Sequence, residues 1–248
     1  LSRGKDESLI VKTLLHFADK IVVLSDYTSK KLSKYKNKTT KILPFCDPDK
    51  YHFITDDRKE YYKKRLGLRS SKIIIYPGQY SRIQANRNII EIVKDVTKSI
   101  ENVMFIFSCR LKINRDLLSE NRIRNSLNGY NVLFLNSVNN YYEYAAAADI
   151  GLFPAENMVG KFDIPLSLIE LVTLGKPVFH TDISPLNELY GDRSDFAFTD
   201  PSKLAKQIVK VLSDKKYYNY LVKKTVNEAK RYSAEKNMHK YEKLYPIS

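Results

Sequence analysis

Lys161-Phe162-Asp163-Ile164-Pro165-Leu166-Ser167-Leu168-Ile169-Glu170-Leu171-Val172-Thr173-Leu174-Gly175-Lys176-Pro177-Val178 sets one carboxylate, Glu170, inside an apolar segment with a marked beginning and end. Pro165 suits a first helical turn, where a missing N–H costs nothing, and Gly175 suits the left-handed residue that closes a helix. The spacing therefore predicts a helix over about 165–174. Pro177-Val178-Phe179 then reads as the next strand. Leu166, Ile169, Val172 and Thr173 line one face of the helix, and Leu168 and Leu171 widen it. Such a helix is largely buried, and an ionised Glu170 in it needs polar partners. A ligand with hydroxyls would supply them.

Working outward, short apolar runs alternate with helical patterns from Lys72 on: Ile73-Ile74-Ile75-Tyr76, Val103-Met104-Phe105-Ile106-Phe107, Val132-Leu133-Phe134-Leu135, Ile150-Gly151-Leu152-Phe153, Pro177-Val178-Phe179 and Phe196-Ala197-Phe198. Ile89, Ile90, Ile92, Val93, Val96 and Ile100 make the plainest helical stripe. Six strands separated by helices predict an α/β, doubly wound parallel sheet covered on both faces. In such a sheet ligands sit at the carboxyl ends of the strands. The loops after Tyr76, Phe107, Leu135, Phe153 and Phe179 are therefore the ones to search.

The first 70 residues read differently. Ala18 to Leu32 is a strand, a capped turn and a helix, and Lys41-Ile42-Leu43-Pro44 is a short strand entering a loop. Tyr217 to Tyr245 reads as a pair of polar helices. The first residue is Leu rather than Met, and the polar opening reads as the interior of a longer protein with no signal peptide.

Composition narrows the partners. Forty-two Lys and Arg against 28 Asp and Glu give a net charge of +14, which favours a polyanion: a nucleoside diphosphate, nucleic acid or an acidic membrane surface. Lys30, Lys31, Lys34, Lys36, Lys38 and Lys41 follow one another with no acid between. No apolar run approaches the roughly 18–20 residues of a membrane span. Cys46 and Cys109 are far apart and outside any metal-ligand spacing, so neither a disulfide framework nor a zinc site is indicated. A cytoplasmic location fits.

The stretch Ile169 to Val178 resembles the donor-binding signature of GT-B glycosyltransferases of the family 4 (group 1) type. In that family a glutamate before Gly-Lys-Pro-Val grips the ribose of a nucleotide-sugar. The opening segment is similar to the last strand and helix of the acceptor half of such enzymes, and Tyr232-Ser233-Ala234-Glu235 to the family's closing helix. The resemblance implies a Rossmann-like C-terminal domain with a short piece of the N-terminal domain: residues 1–45 from the acceptor side and the crossing, 46–230 for donor binding, 231–248 for closing. It further implies a retaining transfer of a hexose from a nucleoside-diphosphate sugar to a glycan or lipid-linked hydroxyl, with no essential metal or cofactor. A peripheral contact with an anionic membrane fits the basic charge, and no nucleic acid is expected.

Candidate site residues follow. Glu170 would hold the ribose. Gly78, Gln79, Arg82 and Arg87 lie in the glycine turn before the helix expected near Asn88, where N–H groups, the helix dipole and guanidinium groups suit a diphosphate. The family's Gly-Arg is Gly78-Gln79 here and its Lys-Gly is absent, so Arg82 and Arg87 are replacements for the missing cations. The family's first glutamate, eight residues before the second, is replaced by Phe162. Either Asp163 takes over the catalytic carboxylate's place near the sugar, or Lys161 contacts a phosphate; capping is an equally open role for Asp163. The backbone amides of Leu166 and Ser167 suit the diphosphate in both cases. Base recognition falls to Arg110 and to Asn136, Ser137 and Val138, in the loops after the second and third strands. His180 reads as structural, and the paired tyrosines Tyr61-Tyr62, Tyr141-Tyr142 and Tyr217-Tyr218 as packing residues. Neither a Walker loop nor a dinucleotide fingerprint is present. Two further readings stay open: an epimerase or phosphorylase on the same fold, and a non-catalytic module that binds polyanions through charge alone.

Overall fold

The β-branched runs of the sequence have no polar side chain to offer water, and they satisfy their backbones by pairing with one another. The computed structural model describes residues 9–81, 83–111, 113–158 and 163–245. It begins with α1 (Leu9–Phe17), β1 (Ile21–Val23), α2 (Asp26–Lys31) and β2 (Thr39–Lys41). β1 and β2 form a separate two-stranded parallel sheet. Then come α3 (Asp56–Arg65), β3 (Lys72–Tyr76), α4 (Asn86–Ser99), β4 (Val103–Ser108), α5 (Asn114–Ser126), β5 (Val132–Leu135) and α6 (Tyr141–Ala147). The rest is β6 (Ile150–Phe153), α7 (Leu166–Thr173), β7 (Val178–Thr181), β8 (Ala197–Phe198), α8 (Pro201–Ser213), α9 (Lys215–Ala229) and α10 (Ala234–Glu242).

All six strands expected from the sequence are present, in the order β5-β4-β3-β6-β7-β8, and every pairing is parallel. Parallel strands need crossovers, and the helices supply them on both faces: α4 packs on α5 and α8, α3 on α6, and α7 on α9. The order reverses between β3 and β6, and the crevice beyond their carboxyl ends is where this topology leaves room for a ligand. The core is continuous across the sheet, with Ile73, Ile74, Ile75, Phe105, Phe107, Leu152 and Phe153 inaccessible to solvent.

Boundaries shift at three places. The strand expected over Lys41 to Pro44 pairs at Thr39–Lys41, with one further bond from Ile42 N–H to Val23 O at 3.0 Å. Pro44 lacks the N–H to continue it. The helix expected near Asn88 starts at Asn86, and Asn88 lies inside it, its amide donating to Pro154 O at 3.0 Å. Between the last helices a tight turn over Lys230–Tyr232 makes the break, and Tyr241 on α10 meets Phe45 edge to face.

At the amino edge of the sheet lies a charge cluster that the sequence does not announce. Asp149, 3% exposed, accepts from Ile73 N–H at 2.8 Å and Lys59 Nζ at 3.0 Å, with Lys63 Nζ at 3.7 Å. Beside it the buried Lys176 donates to Ala146 O at 2.8 Å. Burial, reinforced by Lys59, pushes the Lys176 ammonium down to about 7.

Candidate functional site

On α7 the buried face is Leu168, Ile169, Leu171 and Val172, and it leaves out Leu166, which is exposed, and Thr173, which is half-buried, although the sequence put both on it. Leu166, Glu170 and Thr173 fall on the other stripe, four and three residues apart, and so share an outward face. Gly175 ends the helix with φ +78°, and the Phe53 ring lies where its Cβ would be, 2.6 Å away. A side chain there would meet both the backbone penalty and that ring. Ile54 N–H also donates to Leu174 O at 3.2 Å, so the crossing segment is fastened along the carboxyl half of α7.

This fastening builds the surroundings of Glu170, which is half-buried. Burial raises its carboxyl above the ordinary range, against the opposing pull of the Tyr51 hydroxyl, Lys50 and Arg110. Tyr51 stands edge to face on Tyr142, with ring centroids 5.6 Å apart, and Lys50 Nζ lies 5.4 and 5.9 Å from the two rings. The Cys46 thiol is pushed up to about 12 by burial and then by Glu170. Of these groups the sequence reading assigned a binding role only to Glu170 and Arg110, and read Tyr142 as packing. Lys50 and Tyr51 escaped it because a single lysine and a single tyrosine in a loop carry no spacing signal.

The loop after β3 meets the start of α7. Ser167 Oγ donates to Pro77 O at 3.3 Å, and Tyr141 OH donates to Ser167 O at 3.4 Å. Gly78 is required by the Tyr76 ring, which a Cβ would approach to 2.3 Å. The same ring's hydroxyl donates to Gln79 O at 2.9 Å. Gln79 itself is buried, its side-chain oxygen without a partner among the described residues. Asn157 Nδ2 donates to Gln84 Oε1 at 2.7 Å and Glu156 N–H to Ile83 O at 3.0 Å, so the loops after β3 and β6 are stitched together. Arg87 is exposed in the first turn of α4, and Leu166 is exposed at the start of α7. Arg82, Lys161 and Phe162 lie outside the described residues.

Asp163 is placed where the sequence did not foresee. α7 carries no side-chain cap, and the Asp163 carboxylate instead accepts from the hydroxyls of Ser25 and Thr28, the latter at 2.9 Å. Ser25 caps α2 and is itself fully buried. Glu188 completes the grip on this helix, accepting from the N–H groups of Asp26 at 2.7 Å and Tyr27 at 2.8 Å. A carboxylate at a helix start is favoured by the unpaired N–H groups and by the dipole. Two acids of the larger domain thus hold the start of α2.

The base-side candidates separate. Arg110 is exposed and acts on Glu170. Asn136 donates to Glu120 at 3.3 Å, which is ion-paired with Arg124 at 2.7 Å. Ser137 is exposed with φ +52°, and Val138 packs on the core. His180 is fully buried against Tyr190, and burial depresses its ring to about 4, in keeping with a structural role.

Solved structures share this architecture. HepE from Anabaena in complex with UDP and glucose superposes with a TM-score of 0.79 at 15% identity, over 96% of this chain and 66% of that one. WaaG, a glycosyltransferase involved in lipopolysaccharide biosynthesis, gives 0.70 at 19% identity, over 92% and 63%. The C-terminal domain of LpcC, a group 1 family glycosyl transferase from Francisella tularensis, gives 0.59 at 13% identity, over 75% and 96%. These likenesses show the fold, the Rossmann-like domain of the GT-B architecture. This chain spans 66% and 63% of the first two proteins. No curated protein sequence matches it. The model for the family described as Glycosyl transferases group 1 matches residues 57–228, which is well over half of the chain, and the chain belongs to that family.

Proposed function

We propose that the chain is the donor-binding half of a retaining glycosyltransferase, which moves a hexose from a nucleoside-diphosphate sugar to a glycan or lipid-linked hydroxyl. The observation that carries this reading is the half-buried Glu170 on α7, whose carboxyl is raised by burial and drawn back by Tyr51, Lys50 and Arg110. A buried carboxylate with spare acceptor capacity suits the paired hydroxyls of a ribose. The first turns of α4 and α7, together with Arg82, Arg87 and Lys161, would neutralise the leaving diphosphate, so that no metal ion is needed. Asp163, held by Ser25 and Thr28, acts in this reading by bringing its loop against α2. The neighbours lend support, since HepE was solved with UDP and glucose and starch synthase IV from Arabidopsis thaliana with ADP and acarbose.

Calorimetry of the full-length protein with UDP, ADP and GDP tests it. One nucleotide should bind, and Glu170→Ala should weaken it by about 1–3 kcal/mol, the cost of stranding buried hydrogen-bonding groups. Affinity that ignores Glu170→Ala but falls steeply with salt would favour the polyanion-binding reading instead.

The acceptor suggests a place of work. Lys30, Lys31, Lys34 and Lys36 are exposed, whereas Lys41 pairs with Asp26 at 2.6 Å and Lys38 donates to His16 O at 2.6 Å. Each exposed lysine contributes roughly 1 kcal/mol on an anionic bilayer. Among the described residues no helix is long and apolar enough to cross a membrane, so attachment would be peripheral. Sedimentation with anionic vesicles at low salt should carry the protein down and neutral vesicles should not; equal behaviour with both ends the idea.

A further inference from the structure

α5 is turned inside out. Its buried residues are Asp116, Ser119, Glu120 and Ile123, whereas Leu117 and Leu118 are 49% and 60% exposed, and Ile113 just before the helix is 48% exposed. α4, packed beside it, buries Ile89, Ile92, Val93 and Val96. A half-turn roll of α5 would put its leucines inside and its carboxylates in water, the arrangement that hydrophobic burial favours. Polar bonds on the inner face prevent that roll. Asp116 accepts from the N–H of Ser81 at 3.4 Å and from the Ser81 hydroxyl, which ties the first turn to the loop after β3. One turn on, Glu120 accepts from Asn136 at 3.3 Å and from Arg124 at 2.7 Å, which ties the helix to the loop after β5. The fold thus specifies the exposure of the leucines, and a specified apolar surface marks a contact.

The residues around the leucines identify what covers them. Leu117 lies one turn beyond Ile113, and Leu118 lies between Arg115 and Arg122, three and four residues away. Arg115 and Arg122 are exposed and form no ion pair among the described residues. The two acids of α5 are the buried ones, so its outer face bears no negative charge. A stable protein interface covers roughly 800 Å² a side, far more than three half-covered side chains on the convex side of one helix offer. Apolar groups set singly among arginines suit the boundary of an anionic bilayer instead, where leucine reaches the acyl chains and guanidinium meets phosphate.

We propose that the outer face of α5 is a bilayer-docking surface: Ile113, Leu117 and Leu118 enter an anionic leaflet, and Arg115 and Arg122 bind its phosphates. The inference does not depend on the donor-binding reading, and it gives α5 an apolar insertion that exposed lysines cannot provide. α5 starts at the carboxyl edge of the sheet, where the loops after β3 and β5 also lie, so docking brings the candidate site to the lipid surface.

The test uses the full-length protein and vesicles of equal parts phosphatidylglycerol and phosphatidylcholine. Leu117→Ser with Leu118→Ser should lower the partition coefficient about tenfold to a hundredfold, the worth of the exposed halves of two leucines, and leave the melting temperature unchanged. Arg115→Gln with Arg122→Gln should weaken binding about tenfold, at low salt only. These 248 residues contain no tryptophan, so Leu118→Trp adds an indole to the face. With vesicles its emission should shift to the blue and be quenched by brominated lipid, and Tyr220→Trp, equally exposed on α9, should show neither effect. Partition that ignores the leucine pair and vanishes at high salt overturns the inference and leaves attachment to the lysines. A blue shift of Leu118→Trp that needs no lipid and grows with protein concentration assigns the face to a second copy and overturns it too. No partition at low salt overturns both this inference and the peripheral attachment through lysine.

Discussion

Alanine at position 149 is expected to lower stability by about 3–5 kcal/mol, because it leaves two buried ammonium groups without the anion between them. Lys59 and Lys63 are 9% and 5% exposed and converge on Asp149 at 3.0 and 3.7 Å. The exposed acids Asp56 and Glu60 remain close, at 3.2 and 3.1 Å, and hold the loss toward the lower end of that range. The Ile73 N–H at the start of the central strand is stranded too. Urea titration of the variant is the measurement, and a loss under about 1 kcal/mol would mean that the cluster is solvated in a way its burial does not suggest. Exchanging all three residues for apolar ones of similar volume should recover much of the loss, since a satisfied charge cluster is worth little over a packed one.

The second large effect is a gain. Lys176 is held at about 7 in the fold against 10.5 in the open chain, so above pH 7 the unfolded state binds the extra proton. Stability therefore rises with pH, by about 2–3 kcal/mol between pH 7 and 9, and the cost of the buried charge is fully present below pH 7. Lys176→Met removes the ammonium at the expense of one bond to Ala146 O. The variant should be the more stable by roughly 2–3 kcal/mol at pH 6, with most of that advantage gone by pH 9. Above pH 9 the thiols of Cys46 and Cys109, both pushed up to about 12 by burial, ionise in the unfolded chain and lower the stability of both proteins alike. Parallel slopes for the two proteins between pH 6 and 9 would show that Lys176 is not desolvated.

What the sequence made legible was what depends on neighbours in the chain. Each strand announced itself through its own β-branched or aromatic residues, and α7 through Pro165 and Gly175, which act on their own backbone. Glu170 stood out because a charge among leucines needs an explanation. α3 did not stand out: its buried side is Lys59, Tyr62 and Lys63, and a face built partly from lysine has no apolar period. That face becomes intelligible only when Asp149, 90 residues on, is brought beneath it. Asp163 is the same lesson at the site, since its partners Ser25 and Thr28 lie 138 and 135 residues away. Tyr51 carried no signal of its own; that it stands edge to face on Tyr142, near Glu170, is a property of the crossing segment's path along α7.

The grip of Asp163 and Glu188 on the start of α2 has a thermodynamic corollary. Asp163 lies at the end of the loop that follows β6, beside the start of α7, while α2 belongs to the small sheet. A molecule that binds near that loop and draws Asp163 away from Ser25 and Thr28 loosens α2, and one that presses it closer tightens α2. Linkage then makes the effect mutual: a partner of the small sheet whose affinity depends on how firmly α2 is held must alter the affinity of that molecule by the same factor in return, with no contact between the two.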